Sequence, residues 1–311
     1  MEEKQTQKLN NWLQTPTPAK SAGMAYTMGA VFPTALMFLL TIVLTLLGYT
    51  KVENFTKSNL YLYLAYLCTP IAFLLVALFV SNFLFGTRRL EKPKKCAPKY
   101  YLIAVLMQIG LFGLSELNSL FLQFLSQFGY QDPGISLPSM DGFGFVGVLL
   151  VIAVLPAVFE ELIFRGVLLN GLKSFGEAGA ILLCGGLFAL YHQNPAQTLY
   201  QFCCGAAYAW VAFRAGSILP TVIAHFINNA AILTLYKCGV TTIPIPAFIA
   251  IVSISAVALV GAIIWLIFFD KKEKKPLTET DKVERKNFWL ASAWGIAVCA
   301  LSWASTLFSG L

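Results

Sequence analysis

The chain has 311 residues, of which 58% are hydrophobic and only 12% are charged, and its formal net charge is +7. Because soluble domains average about 25% charged residues, this composition excludes an ordinary water-soluble protein and indicates a polytopic membrane protein. Basic clusters can also suggest nucleic-acid binding, but here they flank apolar runs, as in the cytoplasmic loops of membrane proteins. We therefore expect the lipid bilayer as a partner and no nucleic acid.

Nine apolar runs predict an all-α fold, a polytopic transmembrane bundle of about eight to nine membrane helices. In chain order the runs cover residues 24–49, 58–84, 100–126, 143–172, 178–193, 197–213, 218–236, 247–269 and 288–308. The fifth run is short for a full crossing. Its end at Gln193-Asn194-Pro195 predicts a turn within the membrane, which is tolerated where it lines a protein-walled cavity. The first and the last run could each lie along the membrane interface instead of crossing it.

The apolar runs, together with the motifs described below that fall within residues 143–236, divide the chain into four parts. These are a polar cytoplasmic tail over 1–23, membrane helices and a loop over 24–142, a core over 143–236, and further membrane helices over 237–311. The last part contains a basic linker over 270–286, which is rich in charge, includes a proline and is predicted to be mobile. We expect this linker to set the last helix apart from the rest of the bundle.

Lys and Arg side chains predict which loops face the cytoplasm. They cluster before the first run, in the loop after the second run and in the linker after the eighth run: Lys4, Lys8, Lys20; Arg88, Arg89, Lys92, Lys94, Lys95, Lys99; Lys271, Lys272, Lys274, Lys275, Lys282, Arg285, Lys286. The long loop over 127–142 has neither Lys nor Arg. With a cytoplasmic N-terminus all three clusters fall on the cytoplasmic side, because an even number of crossings separates them. The sequence therefore predicts a multi-pass membrane protein with its N-terminus in the cytoplasm.

Two adjacent carboxylates and one guanidinium lie in the fourth apolar run, at Glu160, Glu161 and Arg165. Ionisable groups inside a membrane span are costly and mark a functional site by default. In an α-helix Glu161 and Arg165 lie on one face and can pair, which leaves Glu160 without a local cation. We therefore expect Glu161 to be held in place and Glu160 to be free to react. Pro156 should kink this helix and leave the carbonyl of Ile152 without its helical donor.

Both histidines of the protein, His192 and His225, lie in apolar runs. Phe188 lies one helical turn before His192, so its ring can pack against the imidazole. Asn229 lies one turn after His225, and an amide beside an imidazole could supply two neutral hydrogen-bond donors to an oxyanion. With the predicted topology, Glu160, His192 and His225 lie about 18, 21 and 10 Å from the cytoplasmic ends of their helices, which favours one shared site.

The motifs EExxxR, FxxxH and HxxxN occur in this order within residues 143–236. They resemble the three motifs of the CAAX protease and bacteriocin-processing family of intramembrane glutamate endopeptidases, which includes the Rce1-type prenyl-protein protease. The resemblance implies an endopeptidase whose catalytic core has four to five helices. It also implies a substrate that is a membrane-associated peptide or protein tail, prenylated in some members.

The same resemblance implies a role for each matched residue. Glu160 with His192 resembles the pair that activates a water. His225 and Asn229 resemble the pair that stabilises the tetrahedral oxyanion. The remaining matched residues, which resemble the supporting pair, are Glu161 and Arg165.

Three alternatives stand beside this interpretation. A zinc-dependent membrane metalloprotease is the nearest, because two His and a carboxylate form a known zinc set. The chain has no HExxH helix, so we expect activity without a metal or another cofactor. Buried Glu and His also form proton relays in transporters, which Glu116 of the third run could extend unless it merely contacts Asn118. The last alternative is an immunity or regulatory protein that keeps this fold with or without proteolysis.

Overall fold

The computed structural model describes residues 17–80, 94–132, 134–240, 242–270, 276 and 278–311. Its regular elements over these residues are all helical. Most of the predicted tail, the basic positions at 88–92 and those at 271–275 lie outside the described residues.

Nine helical segments of the described chain correspond to the nine predicted runs. They are α1 (Pro18–Leu46), α2 (Asn59–Phe79), α3 (Lys99–Ser126), α4 (144–175), α5 (Gly176–Tyr191), α6 (Thr198–Ala215), α7 (Leu219–Lys237), α8 (Ile245–Phe269) and α9 (Glu279–Gly310). Seven stretches are long and apolar enough to cross a membrane, one of which, Gly144–Tyr191, contains both α4 and α5, whereas α6 is not among them. The predicted all-α membrane bundle is confirmed.

Helix α4 is irregular on both sides of the two glutamates. A short α-helical segment, Leu155–Glu161, lies between two π-helical stretches, Leu149–Val154 and Leu162–Leu168. Pro156 is the second residue of the α-helical segment, where its missing N–H interrupts the helical hydrogen bonds. The helix ends at Phe175, and Gly176, whose φ of 76° suits glycine, turns the chain into α5.

Helix α4 lies at the centre of the bundle, in contact with α1, α2, α5, α6 and α7. The core around it is aromatic. The Phe164 ring makes edge contacts with Tyr26 of α1, Phe73 of α2 and Phe188 of α5, at centroid distances of 6.4, 6.1 and 4.9 Å. Such contacts add to the burial of the rings and hold α4 in one orientation.

Helix α9 packs along α1 and against α5. Phe288 and Cys299 of α9 are fully buried, and the hydroxyl of Thr27 in α1 donates to the carbonyl of Ala291 at 2.7 Å. The prediction that the basic linker sets the last helix apart is therefore wrong. The charge of a segment indicates a linker, but it does not indicate whether the helix that follows packs against the rest of the bundle.

A charged cluster joins four helices at one end of the bundle. Asp270, just after α8, accepts hydrogen bonds from Lys99 at 2.7 Å and from Tyr100 at 2.9 Å, both at the start of α3. Arg214 of α6 pairs with Glu177 of α5 and donates to the carbonyl of Asp270. Burial would raise the pKa of Asp270, but the hydrogen bonds from Lys99 and Tyr100 outweigh it and hold the pKa below its ordinary value.

Contacts at the two ends of α9 show its direction relative to α4. Arg285, near the start of α9, donates to the carbonyl of Ser174 at the end of α4, at 2.8 Å. At its other end, the carbonyl of Gly310 accepts from the amide of Gln131 in the 127–142 loop, at 2.8 Å. Helices α4 and α9 thus run in opposite directions, as an even-numbered and an odd-numbered crossing should.

Candidate active site

The predicted pairing of Glu161 with Arg165 is confirmed. Nη1 of Arg165 donates to Oε1 of Glu161 at 2.6 Å, and both side chains are fully buried. Nη2 of Arg165 donates to the carbonyl of Gly205 in α6 at 3.1 Å. The guanidinium also lies over the rings of Phe188 and Tyr208, 4.5 and 5.2 Å from their centroids. Arg165 is therefore held from three sides and keeps Glu161 fixed.

His225 of α7 bridges the two glutamates. Its Nδ1 lies 3.0 Å from Oε1 of Glu161, and its Nε2 lies 3.8 Å from Oε2 of Glu160. The sequence predicts one partner for Glu161, Arg165 on its own helix. Residue spacing within one helix does not show that α7 packs against α4. The structure therefore brings one imidazole into contact with both carboxylates.

Glu160 is only 8% exposed, and its Oε2 has no hydrogen-bond partner. Among the described residues Nε2 of His225 lies 3.8 Å from Glu160, whereas neither ring nitrogen of His192 lies within 4.0 Å of the Glu160 carboxylate. A buried carboxylate oxygen without a donor is costly, and such groups in native structures call for a functional explanation. Glu160 is thus the less restrained of the two glutamates, as the sequence predicts.

His192 directly follows the last residue of α5. Its Nδ1 lies 2.8 Å from the carbonyl of Phe188, and the two rings meet edge to face with centroids 4.7 Å apart, which confirms their predicted packing. Because a carbonyl can only accept, Nδ1 carries the proton, and Nε2 of the neutral ring is an acceptor. His192 therefore presents a lone pair and not an N–H at Nε2.

The predicted turn after His192 is present. Gln193 has a φ of 52°, and the side chain of Asn194 accepts from the amide of Ala196 at 2.8 Å. Asn118 of the neighbouring helix α3 donates to the carbonyl of Ala196.

Glu116 of α3 is exposed and takes no part in the buried cluster, so the structure gives no support to a proton relay that Glu116 would extend.

Asn229 lies one turn beyond His225 and reaches α4. Its Nδ2 donates to the carbonyl of Ile152 at 3.2 Å. This is the carbonyl that Pro156 leaves without an α-helical donor, and it finds a donor on the neighbouring helix instead. One N–H of the Asn229 amide remains for another acceptor.

The expectation of two neutral donors from His225 and Asn229 needs a correction. A neutral imidazole has one N–H, and in His225 it faces the carboxylate of Glu161. Nε2 of His225 is a donor only when the ring is protonated on both nitrogens. Donation from His225 to an oxyanion therefore requires the charged ring.

A second polar network was missed by sequence reasoning. Asn228 accepts at Oδ1 from Gln108 of α3 at 2.9 Å and from the hydroxyl of Tyr200 at 2.8 Å, and it donates to Oδ1 of Asn229 at 3.1 Å. The hydroxyl of Tyr208 donates to Oε1 of Gln108. The available signal was Gln108 itself, a lone amide within an otherwise apolar stretch of the third run.

Residues 142–231 match the family model described as type II CAAX prenyl endopeptidase Rce1-like. This segment is Rce1-like. The resemblance to the CAAX protease and bacteriocin-processing family is thereby confirmed for the segment, and an intramembrane endopeptidase of the CAAX type is supported in general. No curated protein and no solved structure matches the chain.

The Rce1-like segment contains the whole of α4, α5 and α6 and the part of α7 up to residue 231. All six predicted site residues fall within it, and α3 adds Gln108 from outside. The site is therefore built from the matched segment together with at least one helix that precedes it.

The zinc-dependent alternative requires a set of side chains that can bind a metal ion. Within the described residues, no group of three His, Cys, Asp or Glu side chains is arranged to hold a metal ion. We expect active, purified protein to contain well below one zinc ion per chain, as measured by elemental analysis. Stoichiometric zinc, with activity lost on chelation and restored on readdition, would favour the metalloprotease instead.

Proposed function

We propose that the chain is an intramembrane endopeptidase that hydrolyses a peptide bond in a membrane-associated peptide or protein tail, including prenylated tails. The observation that carries this proposal is the contrast between the two glutamates. Oε2 of each buried carboxylate lacks a donor, but Oε1 of Glu161 is bonded to Arg165 and His225, whereas no hydrogen bond to a described residue holds the carboxylate of Glu160. A carboxylate in that state is suited to accept a proton from water. The Rce1-like match supports the same class of reaction.

In the proposed reaction Glu160 and His192 hold a water between them. Glu160 takes a proton from this water while the water oxygen attacks the carbonyl carbon of the scissile bond. The acceptor Nε2 of His192 orients the water, which is consistent with the proton on its Nδ1. The C–N bond then breaks, and Glu160 returns the proton to the leaving amine.

The tetrahedral oxyanion is assigned to His225 and Asn229. His225 would donate from Nε2 only when its ring carries both protons, and Asn229 donates the N–H that Ile152 does not use. Donors that are already oriented before the reaction stabilise developing charge without reorganising. Arg165 and Glu161 act through His225, since their contacts fix the carboxylate on which its ring rests.

The substrate can be found without knowing its sequence. Membranes from cells with the wild-type chain and with Glu160→Gln would be compared by peptide mass spectrometry. We expect a set of cleaved peptides that is present only with the wild type, and prenylated C-terminal tails within it would identify that substrate class. Identical peptide profiles would contradict the proposal.

Replacement of Asn229 by Ala should lower turnover by about 10²–10³-fold if the amide donates to the oxyanion. The measurement is kcat per folded molecule on the substrate so identified. Loss of the bond to Ile152 could also disturb α4, so a circular-dichroism melt of the variant is the control. Unchanged kcat would remove Asn229 from the oxyanion site.

We further propose that the N-terminus and the loop before α3 are cytoplasmic, because the basic clusters lie there. A cysteine placed at the exposed Lys94 in a cysteine-free background should resist impermeant thiol reagents added to intact cells. A cysteine placed at Lys237, at the other end of the bundle, should react. Labelling of position 94 from outside would reverse the proposed orientation.

A further inference from the structure

We propose that Gln108 of α3 is a positioning residue for the reaction, because it helps to hold the Asn229 amide in its orientation through Asn228. This inference rests on the proposed function. Gln108 is fully buried, and its side-chain amide is bonded at both ends, to Asn228 and to Tyr208. Hydrogen bonds between membrane helices commonly serve only to hold helices together. The direction of the bonds gives Gln108 a further role.

The carbonyl of Ile152 fixes the direction of the whole chain of bonds. A carbonyl only accepts, so Asn229 must turn its Nδ2 towards Ile152 and its Oδ1 towards Asn228. Asn228 must then offer Nδ2 to Asn229 and Oδ1 to its other neighbours. Gln108 completes the series by offering Nε2 to Asn228.

Removing the Gln108 amide takes away the restraint at the other end of this series and leaves Ile152 as the remaining one. Asn228 would keep a hydroxyl partner in Tyr200, which can either donate or accept, so the Asn228 amide could rotate by half a turn. A rotated Asn228 would turn its Oδ1 towards Oδ1 of Asn229, so that two acceptors would face each other and the hydrogen bond between the two amides would be lost. The Asn229 amide would then be restrained in its direction by Ile152 alone, and the N–H assigned to the oxyanion would be held less firmly.

Gln108 also contacts a neighbour of His225, the second proposed oxyanion donor. Its Oε1 accepts from the Tyr208 hydroxyl, and the Tyr208 ring lies against the imidazole of His225 with centroids 5.8 Å apart. The guanidinium of Arg165 lies over the same ring. One buried amide on α3 thus touches the surroundings of both proposed donors, although it contacts neither.

The first test compares Gln108→Leu with Ser255→Ala. Ser255 of α8 is buried and donates to the carbonyl of Ile109, next to Gln108, at 2.8 Å, so the control removes an interhelical bond from the same helix away from the site. Gln108→Leu should lower kcat about 10- to 100-fold with little change in KM, since small misplacements of reacting groups have effects of this size. Ser255→Ala should leave kcat unchanged. Equal kcat for the two variants would overturn the proposal.

A double-mutant cycle separates positioning from a merely structural role. If Gln108 acts through Asn229, Gln108→Leu should cost little further kcat in an Asn229→Ala background. Full additivity would overturn the proposal while leaving the peptidase intact, whereas failure of the proposed function would show as unaltered cleavage in Glu160→Gln. If Gln108→Leu does not fold, Gln108→Asn, which keeps an amide but withdraws it by one methylene, takes its place.

A substrate-free measurement tests the same link. In detergent-solubilised protein labelled with ¹⁵N at asparagine, the side-chain amide resonances of Asn228 and Asn229 should shift in Gln108→Leu and stay in place in Ser255→Ala. Unshifted Asn229 resonances in Gln108→Leu would overturn the proposed link, whatever the activity.

Discussion

Replacement of Glu160 by Gln should lower turnover by about 10²–10⁴-fold, the usual loss when a general base is removed. The amide has nearly the shape of the carboxylate but cannot take a proton from water. Because Oε2 of Glu160 accepts no hydrogen bond, the substitution breaks none at that atom. We therefore expect the melting temperature in detergent to stay close to that of the wild type.

The matched control is Glu116→Gln, the same change at an exposed position of α3. It should leave both turnover and melting temperature unchanged. A transporter or an immunity protein that does not cleave peptides would give the same peptide profile with Glu160→Gln as with the wild type. Most of the turnover surviving in Glu160→Gln would mean that another residue is the base.

Replacement of Glu161 by Gln should instead destabilise the protein. Glu161 and Arg165 are both fully buried, so the variant leaves a buried guanidinium without its counter-charge. Breaking such a pair from one side typically costs about 3–5 kcal/mol. The same change weakens the contact that holds Nδ1 of His225. We expect less folded protein, a lower melting temperature and lower activity.

Glu177→Gln provides the comparison for that experiment. Glu177 also pairs with an arginine, Arg214, but this pair is partly exposed and Arg214 has further partners at Asp270 and Leu266. The melting temperature should fall less than in Glu161→Gln. If Glu161→Gln folded normally and was inactive while Glu160→Gln stayed active, the roles of the two carboxylates would be exchanged.

Local spacing predicted much of the fold and part of the site. Helix lengths, the pairing of Glu161 with Arg165 and the packing of Phe188 on His192 follow from hydropathy and from the helical repeat, which act within one segment. The role of Pro156 could be predicted in the same way, because the missing N–H belongs to the proline itself. Its partner, Asn229, is on another helix and could not be inferred from α4.

Contacts between helices could not be predicted from spacing. His225 reaches both glutamates only because α7 packs against α4, and Gln108 enters the site only because α3 packs against α7. The same limit explains the wrong prediction for α9. A hydrophobic run shows that a helix needs an apolar environment, but lipid and a neighbouring helix both satisfy that need.

The two π-helical stretches of α4 make the site sensitive to the number of residues in this helix. A π-turn has the wider i→i+5 bonding of a helix that accommodates an extra residue, and such turns are frequent at functional sites. Each residue added to or removed from a helix rotates the rest of that helix by about 100° and shifts it by about 1.5 Å. Deletion of one residue from Leu149–Val154 would thus keep every catalytic side chain in the sequence yet turn Glu160 relative to the loop before α4. Length and register in α4 are constraints on this site in their own right, independent of which side chains the helix carries.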